Sequence, residues 1–140
     1  MEGITQAAEA MAQRAGEQIR MTCLDTSALM EIAQANPKFL VYAADEFLLP
    51  DPILAEFASI MLRRYDERTT DYWYKRLQPF ARPVDLGLWY LAAKFRWKSH
   101  RRKLSLLDAV VYAFAQRNRR VLVTADTDFR NLPGVKLIAK

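Results

Sequence analysis

One hundred and forty residues, 51% hydrophobic and 26% charged, suffice for one domain with a real core and argue against a disordered or multidomain chain. The single cysteine, Cys23, excludes an internal disulfide and a cysteine-built zinc site; the single histidine, His100, set among basic residues, disfavours Ser-His-Asp or Cys-His hydrolysis. A formal charge of +5 and a pI near 9.5 point to an anionic partner, and the lack of a membrane-length apolar run or signal-peptide core makes a cytoplasmic location, away from membranes, the expectation.

Residues 1–20 place Ile4, Ala8, Met11, Ala15 and Ile19 at helical spacing, which predicts a weakly amphipathic N-terminal extension before a domain spanning 21–140. It is either a docking segment or a start-site artefact ahead of Met21. Met21 to Leu24 reads as a short apolar strand closed by Asp25, and Asp25-Thr26-Ser27 serves either N-capping or chemistry. Phe47 to Pro50 is the second predicted strand, with Asp51 as N-cap and Pro52 as first residue of the next helix. On that helix Glu56 sits at the edge of the apolar face formed by Ile53, Phe57, Ile60 and Met61. There it either reaches inward over the sheet end or is an exposed, helix-favouring glutamate.

Residues 66–80 predict a helix with exposed aromatics, and 80–84 an edge strand that tolerates Pro83. Asp85 then caps a helix over residues 86–95. The following stretch holds Arg96, Lys98, Arg101, Arg102 and Lys103 around Trp97 and His100, denser in cations than any other. It is a solvated loop or a phosphate-contacting patch with Trp97 available for stacking.

From Leu106 to Ala115 the only charged residue is Asp108, so the helix is apolar nearly all round and therefore predicted to be buried. Ser105 and Asp108 have capping-box spacing, the structural alternative to a catalytic role for Asp108. Val121 to Thr124 runs as a buried strand into Ala125, Asp126, Thr127 and Asp128, acids that by themselves also suit a turn. Residues 131–134 read as a turn and Val135 to Ile138 as a last edge strand. This alternation predicts a three-layer α/β/α sandwich around a mainly parallel sheet of four or five strands.

In such a fold Asp25, Asp126 and Asp128 share the carboxyl edge of the sheet, where open α/β folds place ligands, and Asp108 and Glu56 lean over it. Two carboxylates ~5 Å apart at an effective dielectric of ~20 repel by roughly 3 kcal/mol, so four in one pocket need a cation. All-oxygen ligation suits Mg²⁺ or Mn²⁺, whose remaining ligands are water and substrate phosphates, and this points to phosphodiester hydrolysis without a histidine base. Thr26, Ser27, Thr124 and Thr127 are placed to hydrogen-bond carboxylates, water or phosphate.

The stretches LDTSAL at 24–29, LPDPILAEF at 49–57, LSLLDAVVYAFA at 104–115 and LVTADTDFRNLPGVKLI at 122–138 resemble the four successive motifs of PIN domains. Among these the chain is most similar to VapC-type toxins of prokaryotic toxin-antitoxin pairs. The resemblance implies a PIN-like fold and a Mg²⁺- or Mn²⁺-dependent endoribonuclease, usually homodimeric, held inactive by a cognate antitoxin. It implies Asp25, Glu56, Asp108 and Asp126 as the catalytic acids, with Glu46 as a rival for Glu56. Asp25, Asp108, Asp126 and the accessory Asp128 would be metal ligands, and Thr26, Ser27 and Thr124 supporting hydroxyls. Other readings are an RNA-processing PIN nuclease outside a toxin operon, or a non-catalytic RNA-binding protein with salt-sensitive binding and no metal-dependent scission. A phosphoacceptor receiver ranks last, because Thr124-Ala125-Asp126 stands where a receiver needs a late-strand lysine.

Overall fold

A computed structural model describes residues 21–44 and 46–140, so the predicted helix over 1–20 lies outside the described residues. The three residues of β1, Thr22–Leu24, are all buried, as expected of a central parallel strand covered on both faces. In chain order there follow α1 (Thr26–Ala33), α2 (Pro37–Ala43), β2 (Phe47–Pro50), α3 (Asp51–Arg64), α4 (Glu67–Leu77), β3 (Ala81–Arg82), α5 (Leu86–Lys98), α6 (Leu106–Arg117), β4 (Val121–Thr124) and β5 (Val135–Leu137). Short 3₁₀ turns occupy Gln78–Phe80 and Thr127–Phe129.

The sheet has five strands in the order β3-β2-β1-β4-β5, every neighbouring pair parallel. It is flanked by helices, as the predicted α/β sandwich requires. From β1 the chain builds outward through β2 and β3, then returns past β1 to build β4 and β5 on the other side. Strand order therefore reverses between β1 and β4, and a crevice opens beyond their carboxyl ends. With Leu24 opposite Val123, Asp25 and the residues after Thr124 emerge side by side into that crevice.

The core between the layers is made by side chains almost wholly removed from water, among them Leu29, Phe39, Ile53, Phe57, Leu122, Val123 and Phe129. Ala92 on α5 and Ala109 on α6 form a smaller cluster with Val110, and their short side chains let the two helices approach closely. Cys23 is buried and unpaired, and burial pushes its thiol well above the usual range, so it acts as a small apolar side chain.

Several boundaries differ from the sequence reading. α2 was not foreseen; Asn36 caps it, accepting from the Lys38 amide at 3.1 Å, and Pro37 occupies its first turn. Pro50, rather than Asp51, caps α3, which places Asp51 and Pro52 both within the first turn. α5 extends to Lys98, so Arg96, Trp97 and Lys98 form its last turn rather than a loop. Among the described residues no helix is long and apolar enough to cross a membrane.

Candidate active site

Where β1 ends, Asp25 becomes the N-cap of α1, accepting from the Ala28 amide at 2.9 Å and the Ser27 hydroxyl at 2.7 Å through Oδ1. Its Oδ2 accepts from the Thr124 hydroxyl at the end of β4. The same Thr124 oxygen receives the Asp126 amide at 3.0 Å, and Ser27 Oγ receives the Ala125 amide at 2.9 Å. Hydroxyls thus lace the two strand ends together and set Asp25 beside Asp126 across the crevice. Capping and site-building are done here by the same atoms, which is why the two readings of Asp25 could not be separated from sequence.

Asp108 shows the same double use. Its Oδ2 accepts the Ser105 amide at 2.9 Å while the Ser105 hydroxyl accepts the Asp108 amide at 3.0 Å, a complete capping box at the start of α6. Glu56 on α3 is half-buried, and Thr26 donates its hydroxyl to Glu56 Oε1. Asp126 caps the following 3₁₀ turn by accepting the Asp128 amide at 2.9 Å. Four carboxylates from four segments far apart in sequence, Asp25, Glu56, Asp108 and Asp126, line one cavity of about 290 Å³.

Their charges sense one another. Burial pushes the Asp25 carboxyl up to about 6, against the pull of its hydrogen bonds to Thr124, Ala28 and Ser27, and the nearby Asp108 charge raises it further. Burial likewise raises Asp108, opposed by Ser105 and reinforced by the charges of Asp126 and Glu56. Metal-free, the pocket resists full ionisation.

The cavity holds residues that the sequence reading missed. Glu31, only 7% exposed, lines it from α1, as do Arg64 from the end of α3 and Lys140. The available signal was spacing: Glu31 lies four residues after Ser27, on the same helix face. Asp128 does not line the cavity; its carbonyl accepts from Arg102 at 3.2 Å on the far side of the 3₁₀ turn. Thr127 is exposed. Glu46, the rival to Glu56, is exposed at the amino end of β2 and lines a separate recess with Arg82 and Arg120.

Two members of the basic run each commit one guanidinium nitrogen to backbone carbonyls and keep their other donors. Arg96 donates to the Leu104 carbonyl at 3.0 Å, and Arg102 also donates to the Arg130 carbonyl at 2.7 Å. Lys98, Arg101 and Lys103 remain exposed.

Among the described residues, no three of His, Cys, Asp or Glu are already gathered closely enough to hold a metal by themselves. Oxygen donors spread around an open cavity, with Asp25 and Asp108 raised by burial and further by neighbouring charge, fit a hard dication that keeps several waters. We expect Thr124→Val to cost roughly 1–3 kcal/mol in urea denaturation, because it strips a donor from buried Asp25 and an acceptor from the Asp126 amide. Thr124→Ser, which keeps the hydroxyl, should recover most of that loss.

The model of the PIN domain family matches residues 22–135. No curated protein matches the chain significantly. Among solved structures, a toxin-antitoxin complex from Klebsiella pneumoniae aligns with a TM-score of 0.66 and 22% identity, over 82% of this chain and 95% of that one. VapC20 from Mycobacterium tuberculosis, described as a sarcin-ricin loop cleaving toxin, aligns with a TM-score of 0.65 and 19% identity, over 77% and 92%. FitAcB from Neisseria gonorrhoeae aligns with a TM-score of 0.61 and 18% identity, over 77% and 89%. At these identities the likeness is one of fold.

Proposed function

Because the chain belongs to the PIN domain family, we propose that it is an endoribonuclease dependent on Mg²⁺ or Mn²⁺ and the toxin of a toxin-antitoxin pair. The observation that carries this reading is the single cavity lined by Asp25, Glu56, Asp108 and Asp126 at the strand-order reversal. The similar fold of the Klebsiella pneumoniae toxin-antitoxin complex favours the toxin assignment over a general RNA-processing role.

Asp25, Asp108 and Asp126 would hold the cation; Asp128, which does not line the cavity, is left out of the ligand set. When bound, the dication supplies activation of the attacking water and neutralisation of charge on the departing oxygen. The protein's own part is positional. Donors from Thr124, Ala28 and Ser27 hold the Asp25 carboxylate in one orientation. The capping box does the same for Asp108. Thr26 engages Glu56 Oε1 and leaves Oε2 to take a proton from water entering the cavity. Exposed Lys98, Arg101 and Lys103 would grip phosphates away from the acids.

Purified protein incubated with single-stranded and structured RNA should cut it with Mg²⁺ or Mn²⁺ and leave it intact in EDTA. Scission in EDTA at the same rate would remove the metal from the proposal, and RNA binding without scission in any metal would leave only the fold and basic face. The toxin reading further predicts a homodimer in light scattering and a small antitoxin encoded alongside that suppresses cleavage; a strictly monomeric protein with no such neighbour would contradict it.

A further inference from the structure

A cavity larger than the acidic one lies apart from the acids, between the end of α5 and the start of α6. It has a volume of about 460 Å³ and is lined by Arg96, Trp97, His100, Arg102, Leu104 and Leu106. Its walls are built in: Arg96 is tied to the Leu104 carbonyl, Arg102 to the carbonyls of Asp128 and Arg130, and His100 Nδ1 lies 3.3 Å from the Trp97 carbonyl. Trp97 is 73% exposed although it is a large indole beside guanidinium groups, and Leu106 is 41% exposed. An aromatic face, a small apolar floor and fixed cations in one recess are what a nucleobase with its phosphate requires.

The position of this recess ties it to the acids. Leu106 lines it and Asp108, two residues on in the first turn of α6, lines the acidic cavity. Those two residues are separated by about 3 Å of rise and roughly 200° of rotation, so the two sites open on opposite sides of one helix start. The Arg102 contacts to Asp128 and Arg130 join the recess to the turn that carries Asp126. One polynucleotide strand crossing the start of α6 can therefore meet both.

We propose that this recess is a subsite for one unpaired nucleotide of the RNA, its base stacked on Trp97 and its phosphate held by the Arg96 and Arg102 side, while a neighbouring phosphate lies at the acids. This rests on the ribonuclease reading and adds to it a base-binding subsite outside the acidic cavity. Duplex cannot splay a base into the recess.

The test is a binding measurement in EDTA, where scission plays no part, using short oligoadenylate and the intrinsic fluorescence of the full chain. Of the three tryptophans, Trp97 is exposed whereas Trp73 and Trp89 are partly buried, so quenching by oligoadenylate reports on Trp97. Trp97→Ala should weaken oligoadenylate binding by about five- to a hundredfold, measured by fluorescence anisotropy of labelled RNA. Trp97→Phe should keep most of the affinity while losing the quenching, and circular dichroism should show both variants folded. Equal binding by Trp97→Ala, equal binding of a blunt duplex, or oligoglutamate competing as strongly as RNA would each overturn the subsite. Those results leave metal-dependent cleavage untouched; loss of cleavage with Trp97-dependent binding intact would instead count against the nuclease reading alone.

Discussion

Changing Asp25 to Asn is expected to lower RNA cleavage on the order of 10³-fold while making the metal-free protein more stable at neutral pH. The two effects have one cause. Burial raises the Asp25 carboxyl from 3.8 to about 6, so the folded state holds the proton more tightly than the unfolded chain does. Stability from this group is therefore greatest at low pH and falls as pH rises between those two values. At neutral pH the ionised carboxylate costs the fold about 3 kcal/mol. Asn removes that charge and keeps an acceptor for Ala28 and Ser27, at a loss of about 1 kcal/mol in hydrogen bonding to Thr124. A net gain of roughly 1–2 kcal/mol, several degrees in Tm, is expected in thermal denaturation with EDTA. Asp25→Ala, which also loses the cap of α1, should not show the gain. Cleavage at the parental rate by Asp25→Asn would remove Asp25 from the site, and a lower Tm for that variant would show that its fixed donors outweigh its burial.

The second large effect is that of the cation on stability. Mg²⁺ or Mn²⁺ at about 100 times its dissociation constant should stabilise the parent by about 2.7 kcal/mol near neutral pH. Near pH 5 the shift should fall to about half or less, because protons then compete at Asp25, and at Asp108, which burial also raises. Asp108→Asn should weaken cation binding at neutral pH by calorimetry, with the capping role partly kept through the Asn side-chain oxygen. Equal stabilisation at both pH values, or equal stabilisation by sodium chloride of matched ionic strength, would mean that the cation acts on the surface and not in the cavity.

The acids at the two central strand ends were legible because short buried strands running into Asp25 and Asp126 are local patterns. The grouping with Asp108 and Glu56 depended on topology, and the parallel alternation was enough to place all four near one edge. Strand order was not legible: nothing local records that the chain returns past β1 to form β4, yet that reversal opens the crevice. Helix α2 escaped notice because seven residues with only Phe39 and Tyr42 buried show too little periodicity, although Asn36-Pro37 was a usable start signal. Glu31 was missed because a charged helical residue is ordinarily read as solvent-facing. Arg96 and Arg102 were read by charge alone, whereas their guanidinium groups reach backbone carbonyls eight or more residues away along the chain. Asp128, two residues beyond Asp126, is carried past the cavity because the intervening backbone turns as 3₁₀ rather than continuing the strand.

If these carboxylates together make a seat for one or more dications, diffraction from crystals grown with Mn²⁺, recorded for its anomalous signal, will locate the ion. A peak is expected inside the cavity with carboxylate oxygens of Asp25, Asp108 and Asp126 at about 2.0–2.2 Å or bridged to it by one water, and it should disappear in Asp25→Asn crystals. An empty cavity at saturating Mn²⁺, or a peak bound elsewhere on the surface, would contradict such a seat.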